Sequence, residues 1–241
     1  EQDLDHIISA AIRGMDRATL EYPVKPGIIL CLDRAFPQHL NEIIVEKAIA
    51  YRQRGVVGID IAGPESSSFD PAHYKAAFKR ARNSGLGVTV HTGESGPVEE
   101  VAEVIRHLEP DRLGHGVKSA YDERTMGMLR ERGITLELCP TSNVNTGVCD
   151  SIAEHPIGML RRLRFRVTLN TDNRLMSNTS MTKEMLKLQE AFEWGLSDFE
   201  WLTINAMKSA FAPFPERLKI INGLIKPRYA LLNAESSMGA L

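Results

Sequence analysis

Cysteine is scarce: Cys31, Cys139 and Cys149 are the only three in 241 residues, and no two stand in CxxC spacing. An odd, sparse set of this kind argues against a disulfide framework and against a cysteine-based zinc site. Cys31 and Cys139 fall inside apolar, strand-like runs and are expected as buried thiols, with a reducing cytoplasm as the expected compartment. Long apolar runs are missing too, and none approaches the ~20 residues of a membrane-spanning helix. The acidic start, Glu1-Gln2-Asp3-Leu4-Asp5, has no apolar core behind it and is not read as a signal peptide. Nor does one sign of charge dominate. Lys and Arg number 29 against 31 Asp and Glu, a net charge of −2, which removes the electrostatic reason to expect nucleic acid or an anionic membrane as a partner. No low-complexity linker or shift in composition divides the chain. Residues 1–241 are therefore read as one domain, with the small-residue segment 230–241 as a tail expected to fray.

What is present is a repeating unit. Apolar residues at three- and four-residue spacing predict helices over 4–20, 37–52, 73–83, 98–108, 122–132, 156–163, 182–194, 197–211 and 215–225, the last ended by Pro227. Between them lie short runs of strand length: 28–32, 56–63, 88–91, 112–116, 134–139 and 165–172. Strands alternating with helices predict parallel βα units, and strands this apolar fit a sheet covered by helices. An open doubly wound sheet and a (β/α)8 TIM-type barrel both satisfy the pattern. Polar residues favour the barrel. His91, Glu94, His115, Ser142, Asp172 and Asn173 all stand at or just beyond strand ends on several different strands, and a barrel brings such ends to one mouth. Six of the eight strands of such a barrel are counted.

The stretch Val88-Thr89-Val90-His91-Thr92-Gly93-Glu94 is the most informative. A β-branched run ends in a histidine, a glycine permits a sharp turn, and a glutamate is returned toward the same end. His91 and Asp172 supply one nitrogen and one oxygen ligand of the kinds zinc takes, but a catalytic zinc usually has three or more protein ligands. His115, between Gly114 and Gly116, is placed either to ligate a metal or to orient its water, and Glu94 to move protons. Asp111-Arg112 and the cluster Arg161, Arg162, Arg164 and Arg166 read as solvated surface. His6, His39, His73, His107 and His155 lie in helices or loops and receive no role.

These motifs are those of a known family. Val57-Gly58-Ile59-Asp60-Ile61-Ala62-Gly63, Val90-His91-Thr92-Gly93-Glu94, Arg112-Leu113-Gly114-His115-Gly116, Cys139-Pro140-Thr141-Ser142-Asn143, Leu169-Asn170-Thr171-Asp172-Asn173 and the helix Ile204–Phe211 follow in order over residues 27–225. The chain resembles the adenosine deaminase family, within the metal-dependent amidohydrolases. The resemblance implies one zinc ion per subunit and hydrolytic deamination of a purine nucleoside, adenosine or deoxyadenosine, to inosine and ammonia. It implies His91 and Asp172 as metal ligands. It implies His115 as the residue orienting the attacking hydroxide, Glu94 as the acid for purine N1, and Gly63 as a backbone donor to purine N3. Asp60 and Ser142 would brace the site. Asn173 stands where many members have a second Asp, and its amide can still donate to purine N7. The family's N-terminal His-x-His pair is absent, which leaves two usual ligands unaccounted for. The chain is expected to be a fragment, because a six-stranded remnant exposes two sheet edges. The alternatives are a catalytically inactive purine-binding homologue, or a deaminase of adenine or another N6-amino purine.

Overall fold

The computed structural model describes residues 3–65 and 68–238. Helix α1 (Leu4–Glu21) is followed by β1 (Ile28–Asp33), α2 (Gln38–Ala50), β2 (Val56–Ala62), α3 (Lys75–Asn83), β3 (Gly87–Thr92) and α4 (Val98–Leu108). Then come β4 (Arg112–His115), α5 (Glu123–Arg132), β5 (Thr135–Leu138), α6 (Pro140–Asn145), α7 (Ile157–Arg162) and β6 (Val167–Leu169). The C-terminal part is helical: α8 (Met181–Phe192), α9 (Leu196–Ser209), α10 (Phe214–Ile220), a π turn (Ile221–Ile225) and α11 (Lys226–Met238). No helix among the described residues is long and apolar enough to cross a membrane.

The six strands form one sheet in the order β1-β2-β3-β4-β5-β6, every neighbouring pair parallel. A doubly wound sheet reverses its strand order at a switch point. This sheet never reverses, which is the winding of a (β/α)8 barrel. The register carries the chemistry to one end: His91 pairs with Gly114 and Thr92 with His115 on β3 and β4.

Alternation along the strands separates two faces. Val88, Val90, Leu113, Leu136, Leu138, Val167 and Leu169 are buried, together with Phe78, Val104, Ile105 and Leu129 of the helices. Thr89, Glu137 and Arg112 instead join one another: Thr89 Oγ1 donates to Glu137 Oε2 at 2.9 Å, and Arg112 Nε lies 3.0 Å from Glu137 Oε1. Arg112 also stacks on the ring of Phe211 at 3.7 Å and donates to the Ser209 carbonyl. Arg112 is thus an interior ion pair rather than solvated surface. Arg161 departs from that expectation as well, being paired with Asp198 at 3.0 Å and stacked on Trp201.

Other expectations are corrected. Cys31 is exposed while Cys139 is buried. The reason is its strand: β1 ends the sheet order, Leu32 takes the helix-covered side, and Cys31, in register with Asp60, takes the other. Pro227 does not end the last helix: the chain stays helical to Met238, and residues 239–241 lie outside the described ones. Lys226 N–H bonds to the Ile221 carbonyl in a π-type turn, and Pro227 enters in the first turn of α11. That extra residue eases the proline past the backbone it would otherwise meet. Strand β6 is shorter than its apolar run suggested, so Asp172 lies three residues beyond it.

Candidate active site

His91 is the last but one residue of β3, with its ring over Gly114 of the neighbouring strand. A Cβ built at Gly114 would lie 2.8 Å from His91 Nδ1, so the absence of a side chain makes room for the imidazole. On the other flank His91 Nδ1 lies 2.7 Å from Asp60 Oδ2 of β2. Burial alone would lower the pKa of His91, but the hydrogen bond and charge of Asp60, with Glu137 and Asp172 behind them, outweigh it and raise the pKa. Asp60 is itself buried, and its Oδ1 has no hydrogen-bond partner among the described residues. A carboxylate behind one imidazole nitrogen leaves Nε2 as the donor and makes it a better ligand. Gly114→Ala is therefore expected to push the ring off Asp60 and to weaken any metal held through His91 about 10–100-fold, the usual cost of disturbing a ligand's supporting partner. Metal content by elemental analysis checks this; native stoichiometry would count against it.

Beyond β3 the chain turns at Gly93, whose φ of 68° suits a residue without a Cβ. Glu65 then holds the loop, accepting from the backbone N–H of Glu94 at 3.2 Å and from that of Gly96, while Lys118 donates to the Ser95 and Gly96 carbonyls. Glu94 is thereby turned back so that its Oε2 lies 3.5 Å from His115 Nε2. His115 ends β4 with φ 62°, and Asp172 follows β6 with φ 54°. Both are non-glycine residues in the left-handed region, a conformation that costs about 1–3 kcal/mol and persists where the surroundings enforce it. Asp172 Oδ2 accepts from Ser142 Oγ at 2.7 Å and lies 3.9 Å from His115 Nε2. Three strand tips thus converge on one polar cluster.

Asn143 binds this cluster together. It is fully buried on α6, a short helix opened by Pro140 that the strand-and-helix pattern did not predict. Its Nδ2 lies 3.3 Å from Glu94 Oε1 and 3.1 Å from His115 Nδ1; its Oδ1 lies 3.3 Å from Cys139 N and 3.2 Å from His155 Nε2. Thr146 Oγ1 also donates to Glu94 Oε1. Neither Asn143, inside its motif, nor His155, in a loop, carries a local signal in the sequence; only their burial beside the site brings them out.

Burial, reinforced by the nearby charge of His115, pushes His155 down to about 4. An unfolded histidine titrates near 6.5, so between those values the unfolded chain binds a proton that the native chain refuses. Stability from this group is complete above about pH 6.5 and is lost as the pH falls toward 4, on the order of 3 kcal/mol in all. The thermal midpoint of His155→Gln is expected to lie furthest below native at pH 7 and to close on it by pH 4.5. A gap that stays constant would contradict the assignment.

The remaining site residues stand nearby in the chain. Gly63, exposed, follows β2, and a Cβ built there would lie 2.7 Å from Asp33 Oδ1. Asn173 is exposed, and its Oδ1 accepts from the N–H groups of Leu175 and Met176 at 3.1 Å each, which commits that oxygen and leaves the amide nitrogen. His91 and Asp172 offer the nitrogen and oxygen donors zinc takes, with Asp60 and Ser142 bracing them. Among the described residues, a different trio brings possible ligand atoms together, His115, Cys139 and Asp172, all within 4.8 Å of one another. Burial raises the pKa of the Cys139 thiol well above its ordinary value, aided by the carboxylates of Asp172 and Glu137. Without a metal beside it, Cys139 is therefore held as a neutral thiol. Burial also holds His115 below the ordinary imidazole pKa, despite the opposing charge of Glu94.

Comparison with known proteins gives this geometry a context. The adenosine deaminase family profile matches residues 2–227. An adenosine deaminase of Mycobacterium ulcerans is 50% identical over a 244-residue alignment that covers 95% of this chain and 67% of that protein. Another, from Mycobacterium sp. (strain KMS), is 51% identical over 200 residues, 78% of this chain and 55% of that protein. The chain thus spans only a little over half the length of several curated relatives it matches. Among solved structures, a zinc-bound amidohydrolase of Burkholderia ambifaria superposes with a TM-score of 0.84 at 23% identity, over 95% of this chain and 64% of the other. An adenine deaminase of Arthrobacter aurescens superposes at 0.77 with 21% identity, over 84% and 61%. At such identities these two structures speak for the fold. The profile match and the 50% identity go further: the chain belongs to the adenosine deaminase family.

Proposed function

We propose that the whole protein is a zinc-dependent hydrolase that deaminates a purine nucleoside, adenosine or deoxyadenosine, to the inosine product and ammonia. The observation that carries this reading is the convergence of Glu94, His115 and Asp172 from three loops onto one cluster, with His91 and Asp60 on the adjoining strands. Deamination at purine C6 needs a proton at N1, a nucleophilic water aligned on C6, and a route for the proton to the departing ammonia. In this reading Glu94 is the acid at N1, His115 and Asp172 hold the water, and Gly63 and Asn173 meet the base through N–H groups aimed at N3 and N7. His91 and Asp172 hold one zinc ion per subunit, braced by Asp60 and Ser142. Zinc, when bound, makes water a nucleophile at neutral pH.

The substrate is a small molecule, and the near-balanced charge favours neither nucleic acid nor a membrane as a partner. Three free cysteines suit a reducing compartment such as the cytoplasm. The test is turnover of the whole zinc-loaded protein against adenosine, deoxyadenosine, adenine and an N6-methylated adenine nucleotide, followed by the fall in adenine absorbance and by ammonia release. Adenosine or deoxyadenosine should give the highest kcat/KM. Preference for adenine would move the assignment to a nucleobase, and stoichiometric zinc without turnover on any of the four would overturn it.

A further inference from the structure

The donors and acceptors around Asn143 have fixed directions, and following them settles the protonation of a residue two bonds away. Ile157 N–H lies 3.1 Å from His155 Nδ1 and can only donate, so that nitrogen is bare and the His155 proton is on Nε2. His155 Nε2 then donates to Asn143 Oδ1 at 3.2 Å. The backbone N–H of Cys139, again only a donor, meets the same oxygen at 3.3 Å. Two independent donors thus fix which end of the amide is oxygen. The other end is NH2, with two hydrogens and two acceptors: Glu94 Oε1 at 3.3 Å and His115 Nδ1 at 3.1 Å. An amide NH2 cannot accept, so His115 Nδ1 is bare and the neutral ring carries its proton on Nε2. That nitrogen faces Glu94 Oε2 at 3.5 Å and Asp172 Oδ2 at 3.9 Å. Every hydrogen-bonding position of the Asn143 side chain is used, and Asn143 and His155 are 0% and 2% exposed, so water does not compete.

We propose that Asn143 and His155 are positioning residues that lock His115 in its Nε2–H tautomer, aimed at the space between Glu94 and Asp172. The catalytic part of this proposal rests on reading the cluster as a deaminase site; the tautomer itself does not. A protonated Nε2 has no lone pair for a metal, and Nδ1 is engaged by Asn143. His115 is thus a hydrogen-bond donor to the reacting groups, and the His115–Cys139–Asp172 grouping is not a metal site. The same amide holds Glu94 Oε1 as an acceptor, leaving Oε2 as the oxygen that faces the substrate side. One buried side chain therefore orients both the acid and the histidine, and a main-chain N–H at the start of α7 sets the direction of the whole chain.

Histidine-selective 15N NMR on the whole protein, with and without zinc, reads the tautomer directly. The native spectrum is expected to show His115 and His155 both protonated on Nε2 and bare on Nδ1. Asn143→Asp replaces the donor by an acceptor and is expected to move the His115 proton to Nδ1. Its kcat should fall about 100-fold, with KM within about threefold, because the loss concerns orientation in the transition state rather than binding. His155→Leu should give a smaller, roughly tenfold loss in kcat. His155→Gln keeps an N–H in the Nε2 position and should restore most of it, which separates positioning from a mere loss of packing. A native His115 protonated on Nδ1, or an Asn143→Asp protein of native fold with an unmoved His115 proton, overturns the proposal. If the protein turns over no purine while the native spectrum and the Asn143→Asp shift are as expected, the lock stands and the deaminase reading fails.

Discussion

On the proposed deaminase reading, replacing Glu94 by Gln is expected to lower kcat for adenosine by about 10²- to 10⁴-fold, the usual contribution of a positioned proton donor, with little change in metal content or thermal stability. The structural reason for that separation is the way the carboxyl is held. Glu94 Oε1 accepts from Asn143 Nδ2 and Thr146 Oγ1, and a glutamine oxygen accepts from both equally well. The position toward His115 and the substrate side changes from Oε2 to an NH2 group, which cannot release a proton to purine N1. The substitution thus removes the acid and keeps the two contacts at Oε1, while the new NH2 group can no longer accept from His115 Nε2–H. Stopped assays of ammonia release extend the measurable range below the absorbance assay. Turnover within tenfold of native would remove Glu94 from the role of acid.

The largest expected effect on stability lies one layer behind the site. Arg34, on the loop after β1, reaches Glu100 of α4 with both guanidinium nitrogens, at 3.0 and 3.2 Å. The two side chains are 2% and 7% exposed. Arg34 also donates to the His91 carbonyl and stacks on Phe69 at 3.9 Å, while Thr92 Oγ1 donates to Glu100 at 2.7 Å. Removing one partner of a buried pair strands the other charge in a low-dielectric environment. Arg34→Met is therefore expected to cost about 3–5 kcal/mol, more than the pair as a whole contributes. That corresponds to a fall in the thermal midpoint of roughly 10 °C. The double variant Arg34→Met with Glu100→Leu should recover much of the loss, since neither charge is left buried alone. Denaturant unfolding of both variants checks this. A double variant no better than the single one would show that the contacts to His91 and Phe69 dominate instead. Because Arg34 ties the loop after β1 to the His91 carbonyl near the end of β3, the single variant should also loosen the turn that presents His91.

The βα alternation and the tips of the strands were legible in the sequence because both rest on local physics. A period of 3.6 or 2 and a glycine after an apolar run need only a few neighbouring residues to be recognised. That sufficed to find His91, Glu94, His115 and Asp172, and to expect their convergence. The direction of each side chain was not local. Cys31 and Cys139 sit in similar apolar runs, yet one is exposed and the other buried, because β1 ends the sheet order and β5 does not. Arg112 looked like surface because a charge beside Asp111 usually is; inside the sheet it finds Glu137 from the next strand and Phe211 from 99 residues away. Pro227 looked like a stop because the rule assumes α-helical registry, and a π turn just before it changes that registry.

By itself the sequence determined which side chains stand at the strand ends: a histidine and an aspartate of the kinds a metal takes, a glutamate able to carry a proton, glycines where backbone must come close. It also determined the order in which the strands deliver them. Only the tertiary structure decided how those groups are oriented. Asn143 is one asparagine in a short helix, and His155 one histidine in a loop, until folding places them 3.2 Å apart behind Glu94 and His115. Hydrogen-bond direction is a property of a three-dimensional network, since each donor's partner comes from a different segment. The tautomer of His115 follows from four such partners, and no stretch of the chain contains them all.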